Sequence, residues 1–188
     1  MTLKHLFLAL LLGWLVSPAV AQTPDPEYPP LLRFAERTAV EEGFPALRTT
    51  DLPEDDIEIR LWSGFGLFGT AGHVIRRREG TWTALLVDGR SWEGPEKEAH
   101  EVIVVDRQVA DDWDERFDAL IEMGMLDLPA DPDPDRLFLD GFHYVLEVRI
   151  GSFYTAAGAP RWEDSELEAD RLMLEVVRKI MDGISYAG

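Results

Sequence analysis

The stretch FHYVLEVRIGSFYTAA, residues 142–157, decides the fold class. Tyr144, Leu146, Val148 and Ile150 alternate with His143, Val145, Glu147 and Arg149. A period of two marks a strand with two different faces. Gly151-Ser152 follows at once, a pair suited to a tight turn, and Phe153 to Ala157 brings the chain back. The stretch reads as a β-hairpin, and hairpins build antiparallel sheets.

The same pattern recurs toward the N-terminus. Ile57, Ile59 and Leu61 alternate with Glu58, Arg60 and Trp62, which predicts another strand. Residues 63–72 read as a glycine-rich loop. His73 to Arg78 and Thr81 to Val87 flank Glu79-Gly80, a second hairpin turn, and the β-branched run from Glu101 to Asp106 predicts a fourth strand.

Three segments have helical spacing instead. Leu31 to Glu42 is one, stopped by Gly43 and Pro45. Asp111 to Met123 is the second. Asp111 is its expected cap, Gly124 its terminator, and Trp113, Phe117, Leu120 and Ile121 share a face. The third runs over 165–183 behind a capping box of Ser165 and Glu168. There Leu172, Met173, Val176, Val177, Ile180 and Met181 keep the spacing of a buried stripe. The order is helix, four strands, helix, two strands, helix. It predicts an α+β fold, a mainly antiparallel sheet with helices packed on one face in two layers. Residues 31–188 are expected to form a single domain.

The first 30 residues read differently. Lys4 and His5 precede an apolar run from Leu6 to Val16, Pro18 breaks it, and Ala19-Val20-Ala21 offers a signal-peptidase site. The run is too short for a membrane span, which needs about 20 apolar residues. Residues 1–21 are therefore expected to be a cleaved signal peptide, and 22–30, rich in proline, an extended leader. The mature chain would then be periplasmic or extracellular, with no stable membrane anchor. The chain has no cysteine, which rules out a lipid-modified cysteine, thiolate zinc, cysteine nucleophiles and disulfides.

The formal net charge is −18. Such a surface repels phosphate backbones, so nucleic acid is not an expected partner. Another protein or an envelope component is.

Several motifs come close to known chemistry. Gly64-Phe-Gly66-Leu-Phe-Gly69 matches a phosphate-loop pattern, yet a strand follows where a dinucleotide fold needs a helix. Asp131, Asp133 and Asp135 begin like a calcium loop, but Arg136 and Phe142 stand where it needs Gly and Glu. His73, His100 and His143 could form a metal site only if their strands brought them together. No nucleophile elbow occurs. No metal, cofactor or catalytic set is therefore expected.

Two candidate surfaces are left. Phe65, Leu67 and Phe68 are apolar side chains in a glycine-rich loop, which suits a recognition patch, and Arg161-Trp162 before the last helix could extend it. His143, Glu147 and Arg149 share one face of the long strand and form the best polar set. Alternation predicts a solvated outer face there, with a cross-strand ion pair. In the run Arg76-Arg77-Arg78 the middle residue should point away from the other two, each pairing with acids of the same chain.

The Ile57–Gly80 arrangement and the pattern Asp140-Gly141-x-x-Tyr144, Glu147-Val148, Gly151 and Tyr154 resemble small exported bacterial α+β proteins of unknown function. The resemblance implies compartment and fold, and brings no chemistry with it. The expected function is that of an exported, non-enzymatic binding or accessory protein of the cell envelope. The alternative is a small envelope hydrolase with its site on the 142–157 hairpin.

Overall fold

A computed structural model describes residues 29–66, 69–89, 102–130, 143–160 and 167–185. The elements are α1 (Pro30–Glu41), β1 (Ile57–Gly66), β2 (Gly69–Arg78), β3 (Thr81–Asp88), β4 (Ile103–Val109), α2 (Trp113–Glu122), β5 (His143–Ile150), β6 (Phe153–Pro160), α3 (Glu168–Asp182) and the short β7 (Ile184–Ser185). Single 3-10 turns lie at Leu47–Thr49 and Met125–Asp127. The strands form one sheet in the order β6-β5-β1-β2-β3-β4-β7. Every neighbouring pair is antiparallel. β1 is therefore flanked on one side by its own hairpin partner β2 and on the other by β5.

The predicted α+β class, antiparallel sheet and element order hold. So does the helical layer: Ile57, Ile59, Leu61, Ile75, Leu146 and Val148 of the sheet pack against Trp113, Phe117 and Leu120 of α2 and Met173, Val176 and Ile180 of α3. To this the structure adds α1 on the opposite face. Its Leu31, Leu32, Ala35 and Ala39, with Phe44 behind them, meet Trp62, Val74, Val87, Val145 and Ala156. Gly72 makes room on that face. A Cβ at Gly72 would collide with the indole of Trp62, its cross-strand neighbour.

Several boundaries differ from expectation. Residues 63–72 are not an extended loop: β1 runs to Gly66 and β2 starts at Gly69, with a register irregularity between Gly64 and Gly66. Backbone pairing wins over glycine's preference for turns because the ladder on both sides is already in register. The leader ends earlier than expected, since Pro30 is the first residue of α1, a position where proline's missing N–H costs nothing. α2 is capped at Asp112, not Asp111, and the Asp112 carboxylate bonds Arg116 rather than a backbone N–H. Gly124 does adopt the left-handed terminator conformation, with φ of 94°. α3 begins at Glu168 with Leu167 before it, and Ser165 of the expected capping box is outside the described residues. Residues 1–21, expected to be a signal peptide, and the Asp131–Asp135 stretch are outside them too.

Candidate functional site

The polar set of the long strand lies on the α1 face, and the sheet register builds it. β1 is central, so each of its residues from Ile57 to Gly64 has two cross-strand partners. Glu58 faces Arg76 on β2 and Arg149 on β5; Arg60 faces Val74 and Glu147; Trp62 faces Gly72 and Val145. Alternation thus gathers Glu58, Arg60, Arg76, Glu147 and Arg149 under α1.

This face is not solvated, which corrects the sequence expectation. His143 is 6% exposed, Glu147 2% and Arg149 6%. The cause is the cover: α1 and the segment that follows it, through Phe44, Leu47 and the 3-10 turn, lie over the polar half of the sheet. The ionic pairing, by contrast, is as alternation requires. Arg60 Nε donates to Glu58 Oε1 at 2.8 Å, Arg76 Nε to Glu58 Oε2 at 2.9 Å, and Arg78 Nη2 to the same oxygen at 2.8 Å. Arg60 Nη1 also donates to the Pro45 carbonyl at 2.7 Å. The Phe44 ring lies 5.7 Å from the guanidinium carbons of both Arg60 and Arg76. Arg77 points to the other face and pairs with Asp114 at 3.2 Å. Burial pushes the Glu58 carboxyl up, but Arg60 and Arg76 outweigh it and hold the group below the ordinary value.

Glu147 has the opposite balance. Trp62 Nε1 donates to its Oε2 at 2.9 Å and the Tyr154 hydroxyl to its Oε1 at 3.1 Å. Desolvation nevertheless dominates and raises its pKa, against the pull of Arg60, Trp62 and Tyr154; Glu36 adds to the rise. Arg149 ties down the covering segment. Its Nε donates to Gly151 O at 2.9 Å, its Nη1 to Arg48 O at 3.1 Å, and its Nη2 approaches Asp51 Oδ1 at 3.4 Å.

A carboxyl with a raised pKa has the acid–base character that catalysis uses. At Glu147, however, both oxygens are engaged by neighbouring side chains and the group is covered, so a substrate would have to displace that cover first.

The other sequence candidates are scattered. Phe65 lies near the end of β1. Leu67, Phe68, Arg161 and Trp162 are outside the described residues. The three-histidine idea fails on parity. His73 pairs with Leu61 and His143 with Gly64, positions of opposite parity on β1, so the two histidines are on opposite faces. Burial and the nearby Arg107 lower the His73 pKa to about 4, which keeps it neutral at physiological pH. Among the described residues no group of three or more His, Asp or Glu is placed to hold a metal ion.

Sequence reasoning missed one feature. Ile103, Val104 and Val105 of β4 are 55%, 49% and 38% exposed. The run read as an ordinary strand, and its unbroken apolar letters gave no signal of exposure, since such runs ordinarily belong to strands buried on both faces. No protein-family model matches the chain, and no curated protein is similar to it.

Proposed function

We propose that the protein is an exported, non-enzymatic binding or accessory protein of the cell envelope. The observation that carries this reading is the exposed apolar edge at Ile103, Val104 and Val105, since contiguous exposed apolar surface marks partner sites. The polar set of β5 supports it indirectly. Arg149 is engaged with Arg48 and Asp51 of the covering segment, and Glu147 with Trp62 and Tyr154.

The test is a pull-down from the periplasm with the chain from Gln22 as bait. The parent is compared with an Ile103→Lys, Val105→Lys variant and with a Phe65→Ser, Phe68→Ser variant. Loss of the same partner from the β4 variant alone places the interface on that edge; loss from the loop variant alone moves it to the Phe65–Phe68 patch. The hydrolase reading draws on one observation, the raised pKa of Glu147. Turnover on esterase, glycosidase or peptidase panels that disappears in Glu147→Gln would replace the binding reading with it.

A further inference from the structure

β3 and β4 run side by side for only part of their length. Their register ends at Ala84↔Arg107. Beyond it, Trp82 and Thr83 stay paired with Arg77 and Arg76 of β2, while Gln108 and Val109 pair with β7. A cleft of about 500 Å³ opens where the two strands part. Small-molecule sites typically enclose about 300–1,000 Å³.

Trp82 lines this cleft and is half-buried. Its ring is fixed from several directions. Trp113 and Phe117 pack against it at centroid distances of 5.3 and 5.5 Å. Its Nε1 donates to Asp114 Oδ1 at 2.9 Å, and Asp114 is itself paired with Arg77 at 3.2 Å. A platform fixed in advance loses little freedom when a ligand arrives. Alternation puts Arg107 beside it. Trp82 shares the parity of Ala84, whose cross-strand partner is Arg107, and Ala84 belongs to the α2–α3 core. Thr83, Asp106 and Gln108 have the other parity and border the cleft from the far side of the gap, and Asp111 lies just past the end of β4.

This mixture selects the ligand by charge. An anion would meet Asp106 and Asp111 on a chain of net charge −18, and a cation would meet Arg107. A neutral polyhydroxylated ring suits all of them. Its hydroxyls donate to carboxylates and accept from guanidinium and amide N–H groups, and its C–H face packs on an indole. Arg107 has another partner as well, but a guanidinium carries five N–H donors and can serve two. We infer that the cleft between β3 and β4 binds a neutral saccharide, with Trp82 as its stacking platform and Arg107 and Asp111 as partners for its hydroxyls. Ile103, Val104 and Val105 do not line this cleft, so the inference goes beyond the binding reading above and does not depend on that surface.

Cellotetraose, maltotetraose and N-acetylated chitotetraose are the neutral probes. Tetragalacturonate and deacetylated chitotetraose are the charged controls. Each is titrated to millimolar concentration into the chain from Gln22 and followed by indole and backbone N–H resonances. The expected result is that a neutral probe saturably shifts the Trp82 indole and the amides of Thr83 and Arg107–Val109, with no dependence on salt. Trp82→Ala should weaken that binding about tenfold or more. That variant also loses packing against Trp113 and Phe117, so a second is needed. Asp111→Ala, at an exposed position, should melt like the parent and bind about threefold more weakly or worse. No shift with any neutral probe overturns the inference, as do shifts confined to other residues or parental affinity in both variants. Binding of a charged control alone, lost as salt is raised, reduces the cleft to charge attraction and overturns it too. The Ile103→Lys, Val105→Lys variant should bind the saccharide like the parent. If the saccharide fails while the pulled-down partner still depends on Ile103 and Val105, only this inference falls. If the saccharide binds and the partner ignores those residues, only the protein interface of the binding reading falls.

Discussion

Arg60 is 1% exposed, and the carboxylate of Glu58, 2.7 Å from its Nη2, compensates its charge. Removing one partner of a buried pair leaves an uncompensated charge, so Glu58→Ala should cost about 3–5 kcal/mol in urea unfolding. The two buried glutamates should also titrate with opposite signs. Glu58 has a lowered pKa, so its contribution is present above the ordinary value of 4.5 and is lost as pH falls through the folded value. Glu147 has a raised one, so its contribution is full below 4.5 and is lost as pH rises through the folded value. Glu147→Gln should therefore compare more favourably with the parent at roughly pH 8 than at roughly pH 5, whereas the deficit of Glu58→Gln should stay constant above about pH 5 and shrink only as pH falls below 4.5. Stability curves with the same pH slope for both variants would refute this assignment. At this scale the side-chain directions were legible from alternation, whereas burial was not. Charged letters at alternate positions suggest water, and the cover over Glu147 comes from Leu31–Ala39, more than a hundred residues upstream.

Among the elements, α3 is the best test of the core. Val176 and Ile180 are fully buried, and Val177 is 5% exposed. Ile180→Ala should cost about 2–5 kcal/mol, and Val177→Asp should prevent soluble folding. Leu172→Ala should cost less than Ile180→Ala, since Leu172 is only half-buried. Melting temperatures of the three variants give the check. On the other face, Gly72→Ala forces a methyl group into Trp62 and should destabilise by about 1–3 kcal/mol. The hairpins at Glu79-Gly80 and Gly151-Ser152 were legible because turn chemistry is local. The Gly64–Gly69 stretch was misread because glycine marks turns and also close approach; only the facing strand tells them apart. Gly72, across from the indole of Trp62, is the second kind.

At the scale of the whole molecule, the sequence reading predicts processing before Gln22. Mass spectrometry of the exported chain should find that N-terminus, and an intact Met1 in a membrane fraction would contradict it. Among the described residues no helix is long and apolar enough to cross a membrane. The strand order was beyond the reach of pattern reading. Local turns predict that β5 pairs with β6; nothing in the intervening residues announces that β5 inserts beside β1 rather than beside β4. The place of β6 as an outer strand follows from that insertion.

The insertion has a kinetic consequence. The ladder from Ile57↔Ile150 to Gly64↔His143 joins segments separated by nearly half the chain, while β1 to β4 meander locally. A polypeptide emerging N-terminus first, from a ribosome or through a membrane pore, can form that meander early. It must then wait with the inner strand bare on one flank until residues 143–150 follow. During that interval the nascent chain has two sticky borders instead of one, and Glu147 has not yet met Trp62. Chaperone dependence should thus peak for chains stalled just short of His143 and drop once Ile150 has cleared the exit.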